Sequence, residues 1–293
     1  MLDFQDISIE DRERVENYFE FLEEPFCDFT FGNLFCWSVV ENTKIAFFNS
    51  FLFIRFSDDE KFYYSFPLGN GEIKNAINLI IEDAKINNKK FQFVCLTENQ
   101  TKILKEIFKE KVKINKNRDT FDYVYSVEKL ATLSGRKYHS KKNHFNSFKN
   151  SYDFIFEEIN EKNLSECISF ANEWYREIQV TPALLKEQKV LNNALENYFN
   201  LNLIGAIIKI NEKIVAVCVG EKMYKQNMFC THFEKASSEY PKAYTAINKL
   251  FSDFLINNFE FVNREDDAGI EGLRKAKLSY HPEFILKKYY AEF

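Results

Sequence analysis

The amino-acid sequence predicts a mixed α/β protein in which one domain plan is used twice, and three observations lead to that reading. The same succession of periodic segments runs through both halves of the 293 residues. Thirty-two Phe and fifteen Tyr stand against eight Gly and five Pro, a balance that fills packed sheets and helices rather than linkers. The length itself suits two domains of ordinary size.

In chain order, Ser8 caps a first helix through Val15, Phe19 and Leu22, and a second follows Asp28 through Leu34, Trp37 and Val40. Strands are expected at Thr43 to Phe48 and Phe51 to Phe56, joined by an Asn-Ser turn, and at Phe62 to Phe66. Gly69-Asn70-Gly71 breaks this meander. A helix with Ile73, Ile77, Ile80 and Ile81 on one face comes next, then a strand at Phe91 to Leu96, a helix at Glu98 to Phe108 and a strand at Phe121 to Val127. The second half opens with a strand at Phe154 to Ile159, then helices at Lys162 to Ile178 and Pro182 to Phe199. A meander at Leu203 to Ile210, Ile214 to Tyr224 and Asn227 to Glu234 follows. A helix at Pro241 to Asn257, a strand at Phe259 to Asn263, a short helix at Ile270 to Leu278 and a strand at Phe284 to Tyr290 complete it. Apart from the strand that opens the second half, both halves read helix, helix, three strands, helix, strand, helix, strand. The expected division is 1–130 and 131–293, with a basic connecting helix at 136–150.

Composition narrows the function classes. The six Cys are scattered without a C-x-x-C pair or a His at finger spacing, so no metal site is expected and the thiols read as reduced. The first residues lack a basic segment followed by an apolar run, and no apolar stretch approaches the roughly 18–20 residues that span a bilayer. A cytoplasmic protein with at most peripheral membrane contact is expected. The formal net charge of −5 conceals a basic interval from Ser134 to Asn150 that has five Lys or Arg and no acid.

Three stretches carry candidate chemistry. In the basic interval, Lys137, Lys141 and His144 fall at helical spacing beside Arg136, a face that suits phosphates, although a solvated helix gives the same pattern. Tyr244 and Asn248 lie four apart at a helix start opened by Pro241, as in a donor site or a plain helix start. Asn263, Arg264, Glu265, Asp266 and Asp267 emerge at a strand end, with Arg274 and Lys277 a turn or two beyond, the densest mixture of unlike charges in the chain. His232, inside a core strand, could take a proton from an attacking amine as a neutral imidazole, or be a core histidine held by a carbonyl. Glu265 and Asp267 alternate on an extended chain and share a face. The candidate catalytic residues are therefore His232, Glu265 and Asp267.

The order of elements resembles the GNAT acyltransferase fold, in which the acyl donor lies where two central strands splay. The usual glycine-bearing acetyl-CoA loop is matched only in part by Leu68-Gly69-Asn70-Gly71, and Glu239 to Tyr244 contains no Gly. Leu133 to His144, Pro241 to Asn248 and Asn263 to Pro282 together resemble a domain-of-unknown-function family. That family is related to the C-terminal catalytic domain of phosphatidylglycerol lysyltransferases, a tandem GNAT arrangement akin to the Fem aminoacyl transferases. The resemblance implies aminoacyl transfer from aminoacyl-tRNA to an amine or hydroxyl of a small molecule, peptide or lipid headgroup. Arg136, Lys137, Lys141, His144, Tyr244 and Asn248 would serve the donor, and Asn263, Arg264, Asp266, Arg274 and Lys277 the substrate. A CoA-dependent N-acetyltransferase using acyl-CoA and a non-catalytic module with a basic groove are the alternatives.

Overall fold

The computed structural model describes residues 1–179, 181–224 and 227–293. In chain order the elements of the first part are β1 (Gln5–Asp6), α1 (Arg12–Glu16), α2 (Phe31–Glu41), β2 (Lys44–Phe48), β3 (Phe51–Ser57), β4 (Lys61–Tyr64) and β5 (Leu68–Gly69). Next come α3 (Ile73–Ile86), β6 (Lys90–Leu96), α4 (Glu98–Phe108) and β7 (Lys113–Lys116). The second part has β8 (Asp122–Ser126), α5 (Val127–Thr132), α6 (His139–Ser151), β9 (Ile155–Glu158), α7 (Leu164–Glu177) and α8 (Pro182–Glu196). It continues with β10 (Ile204–Ile210), β11 (Lys213–Lys222), β12 (Met228–Ala236), α9 (Ala243–Leu255), β13 (Phe261–Asn263), α10 (Glu271–Leu278), β14 (Phe284–Leu286) and β15 (Tyr289–Glu292).

Two compact units result, one from residues 1–122, 266–269 and 286–293, the other from 123–265 and 270–285. Each is a mixed sheet flanked by helices. The first sheet runs β1-β2-β3-β4-β6-β15-β7, with β5 on β3, and the second runs β14-β8-β13-β12-β11-β10-β9. The units are not the sequence halves. β8, expected to end the first half, pairs with β13 in the second sheet. The single strand expected at Phe284 to Tyr290 is two strands: β14 stays in the second sheet, and β15 enters the first, between β6 and β7. β7 was not legible, because Lys113-Ile114-Asn115-Lys116 has one apolar residue and no alternating pattern.

Local rules explain most of the remaining elements. Thr97 caps α4 and exchanges hydrogen bonds with Gln100, a capping box. α3 places Ala76, Ile77, Ile80 and Ala84 on its buried face. In the first unit that face packs with Phe53, Tyr64, Phe93, Leu104 and Ala291. β11 is buried over most of its length, which suits a central strand covered by helices on both faces. The expected first helix is instead a short α1 between 3₁₀ turns at Ile9–Asp11 and Asn17–Phe21. α6 begins at His139 behind a 3₁₀ turn over Arg136–Tyr138, so Arg136 and Lys137 precede the helix proper.

Candidate active site

In the second unit two neighbouring strands part after a short parallel pairing. β12 and β13 pair in parallel for three residues, ending at Cys230 opposite Asn263. β12 then continues to Ala236, whereas the chain after Asn263 stays with β8: Arg264 N donates to Tyr123 O and Tyr123 N to Glu265 O. The two strands therefore part, and Glu265 turns with φ of 57°. Opposite, β12 carries a bulge, with Val219 facing Phe233 and Gly220 facing Thr231, so that His232 is the extra residue. Gly220 is required there, because an added Cβ would lie 1.9 Å from Cys230 O.

Arg264 is the centre of one group of side chains. Its Nη2 donates to Glu234 Oε1 at 3.0 Å, and both side chains are only 12% exposed. Its guanidinium lies 5.6 Å from the Tyr125 ring centre and 5.2 Å from that of Tyr280. Asn248, at the same carboxylate, donates from Nδ2 to Glu234 Oε2 at 3.4 Å. Arg264 Nη1 and Asn248 Oδ1 are both buried and have no hydrogen-bond partner among the described residues. A donor and an acceptor are thus left over beside one carboxylate, and buried polar atoms of this kind normally mark a missing ligand or water.

Cations crowd the same region. Lys141 Nζ lies 4.0 Å from the centre of the Tyr280 ring, and burial together with the neighbouring Arg264 holds its pKa below the usual lysine value. His144 is lowered by burial and by Lys141 and Lys242. Lys242, on a left-handed residue just before α9, donates to Ser147 Oγ at 2.7 Å. Like charges held this close favour an anion.

His232 forms a second group. Its Nδ1 is 2.8 Å from Glu265 Oε1 and its Nε2 is 2.9 Å from Glu221 Oε1. Cys230 Sγ is 3.7 Å from His232 Nδ1 and 3.9 Å from Glu265 Oε1. Burial opposes charge on the ring, but Cys230, Glu221 and Glu265 outweigh it and hold the His232 pKa well above the ordinary value. The sequence left open a neutral, base-like imidazole or a core histidine held by a carbonyl; in the structure two carboxylates face the ring and favour its charged form.

The other expected residues divide between buried positions and the surface. Asp267 is fully buried in the first unit, where it pairs with Arg118 at 3.4 Å and accepts from Gly269 N. Asp266 accepts from Ala268 N, and Asn263 accepts from Glu265 N at 2.8 Å, so both hold the turn. Lys277 is buried and donates from Nζ to Arg264 O at 2.6 Å. Arg274 is half-buried on α10. Arg136 and Lys137 are exposed, and the Lys137 carbonyl lies 3.1 Å from His281 Nε2. Tyr244 is exposed at the start of α9, and burial of its hydroxyl end pushes its pKa up to about 12. Sequence reasoning missed Glu221, Glu234, Cys230 and Tyr280. An acid inside an otherwise apolar strand was the available signal for the two glutamates.

The first unit repeats the parting of strands, with β4 and β6 paired in parallel up to Tyr64 and Phe93. A small pocket there is lined mainly by Leu22, Phe26, Phe66, Leu68 and Cys95. Glu23 accepts from Thr97 Oγ1 and, at 2.8 Å, from Asn99 Nδ2. Elsewhere in this unit Lys288 pairs with Asp28 and, at 2.7 Å, with Asp122, and lies 3.4 Å from Cys27 Sγ. Burial alone would lower Lys288 and raise Asp28. The pairing reverses both, leaving Lys288 well above and Asp28 below their ordinary values.

Residues 19–292 match the family described as phosphatidylglycerol lysyltransferase, C-terminal. A crystal structure of a conserved protein of unknown function from Bacteroides thetaiotaomicron is 35% identical, with a TM-score of 0.94 and full coverage of both chains. The C-terminal DUF2156 domain of a putative lysylphosphatidylglycerol synthetase from Agrobacterium fabrum shares the fold at 12% identity, with a TM-score of 0.70 over 97% of this chain and 92% of that one. A tandem GNAT protein from the clavulanic acid biosynthesis pathway does so at 8% identity, with a TM-score of 0.55 over 100% and 98%. An uncharacterised protein of Mycoplasmoides gallisepticum is 27% identical over 172 residues, 57% of this chain and 54% of that protein, so the match spans about half the relative's length. No described helix is long and apolar enough to cross a membrane.

Proposed function

The chain belongs to the phosphatidylglycerol lysyltransferase C-terminal family, and from that premise we propose that its second unit transfers an aminoacyl group from aminoacyl-tRNA to an amine or hydroxyl acceptor. The observation that carries this reading is the pair of buried, partnerless atoms, Arg264 Nη1 and Asn248 Oδ1, where β12 and β13 part. The acceptor attacks the ester carbonyl directly. The new bond to the carbonyl carbon forms, the ester bond breaks, and the acceptor's proton passes to the leaving ribose oxygen. Arg264 Nη1 donates to the carbonyl oxygen as negative charge develops on it, a contribution that preorganised donors make at low cost in reorganisation. Asn248 Oδ1 accepts from the ammonium of the aminoacyl group, and Glu234 holds both side chains in place. Lys141, His144 and Lys242 receive phosphates of the donor. The exposed Arg136 and Lys137 extend that basic surface.

The test is transfer of labelled amino acid from a mixed aminoacyl-tRNA pool, with phosphatidylglycerol vesicles, peptides and small amines as acceptors. R264Q should lower the rate about 100- to 1,000-fold, and R264K, which keeps the charge beside Glu234, checks that loss of activity is not loss of folding. Parent-like rates in both R264Q and N248L would defeat this reading. Saturable acetyl-CoA turnover in place of aminoacyl transfer would point to the CoA-dependent alternative.

A further inference from the structure

Cys230, His232 and Glu265 bring one sulfur, one nitrogen and one oxygen to a common point. Cys230 Sγ, His232 Nδ1 and Glu265 Oε1 are separated by 3.7, 2.8 and 3.9 Å. Zinc bonds of about 2.0–2.3 Å at tetrahedral angles separate neighbouring ligand atoms by about 3.3–3.6 Å; the two Cys230 spacings lie within a few tenths of an ångström of this, and the hydrogen-bonded His232 and Glu265 atoms at 2.8 Å would part by about 0.5 Å to admit the ion. The other ring nitrogen, Nε2, faces the carboxylate of Glu221 at 2.9 Å, and Glu221 is itself 2% exposed. A ligating histidine is ordinarily backed by a carboxylate in this way, which fixes both its tautomer and its orientation. The ligands come from two places that the fold joins. The β12 bulge presents His232 two residues after Cys230, and the left-handed turn at Glu265 brings in the third group. A comparable set in the first unit, Cys27, Asp28 and Asp122, already surrounds the ammonium of Lys288.

We propose that Cys230, His232 and Glu265 bind a zinc-class divalent cation, with Glu221 as the positioning residue for the imidazole. The ion takes the place of the Nδ1 proton and of the thiol proton, and three protein ligands leave a fourth position for water or a substrate atom. Linear spacing could not reveal the site, because Glu265 lies 33 residues from His232.

The test uses the full chain, stripped with chelator and titrated with Co²⁺ and then Zn²⁺. One cobalt per chain should bind, with a tetrahedral visible spectrum and a thiolate-to-cobalt charge-transfer band. C230S should abolish that band while C27S retains it. E221Q should keep the band but weaken zinc binding about 10- to 100-fold. Zinc should raise the melting temperature of the parent and leave that of C230S and H232N unchanged, so that each variant's own unfolding curve also reports whether it is folded. Binding that does not saturate at one equivalent, or a band that survives in C230S, overturns the proposal. Unchanged affinity in E221Q removes Glu221 from it.

Discussion

His144 shows how a single side chain can report on the ligand a surface awaits. Burial, Lys141 and Lys242 hold its pKa below the ordinary value. The unfolded chain therefore takes up this proton first as pH falls below about 6.5, and the native state loses stability relative to it. Parent protein should thus become less stable relative to H144N as pH drops through that window, measured by urea unfolding at a series of pH values. A bound polyanion should shrink the difference, because it favours the protonated ring. An unchanged gap between parent and H144N across pH would remove His144 from the cation cluster. At this scale the sequence was a partial guide. Arg264, Glu265, His232, Lys141 and Asn248 stood out as polar groups at strand and helix ends, and the structure places each of them in one of two groups around the parted strands. Asp267 and Lys277 belonged to the same charged run yet turn inward to Arg118 and to a backbone carbonyl. Nothing in a run of consecutive charges says which side chain a left-handed turn will bury, and Glu265 and Ala268 both adopt one.

Elements were more legible where their period was clear. α3, α4, α9, β6 and the β10–β12 meander fall close to their expected limits, because apolar periodicity and caps mark them locally. Strand partners were not legible, since β8 and β15 pair with residues far from them in sequence. The β12 bulge was equally hidden. It rests on Gly220, where an added Cβ would also lie 2.6 Å from the Phe229 ring. G220A should therefore destabilise the protein by about 1–3 kcal/mol and, by straightening the bulge, shift His232 away from Glu221 and Glu265. Chemical denaturation measures the first effect, and the imidazole NMR signals of His232 measure the second. The segment leading into β15 carries a further test. Lys288 is 4% exposed between Asp28 and Asp122, and breaking a buried pair strands the remaining charges. K288M should cost about 3–5 kcal/mol, and pairing it with D28N and D122N should recover much of that loss. If K288M alone is as stable as the parent, the cluster does not hold the first unit together.

For the whole molecule, the net charge of −5 is a poor guide to partners, because the basic interval around α6 is set against acids elsewhere in the chain. Replacing Lys137 and Lys141 together by Glu should weaken tRNA binding steeply. The parent's affinity should fall as salt rises, with a shallower slope in the double variant, because fewer counterions are released. Filter binding across a salt series would show it, and salt-insensitive binding would leave the helix as a structural connector. The order in which the chain is made adds a constraint. A ribosome produces residues from the amino end, and early domains commonly fold while later ones are still being synthesised. The first sheet cannot do so, because its strand between β6 and β7 is β15, at residues 289–292. Until those residues emerge, β6 and β7 present open edges that other strands or strand-holding chaperones can pair with. A chain cut short before residue 289 would leave its earliest-made sheet without the strand that joins β6 to β7.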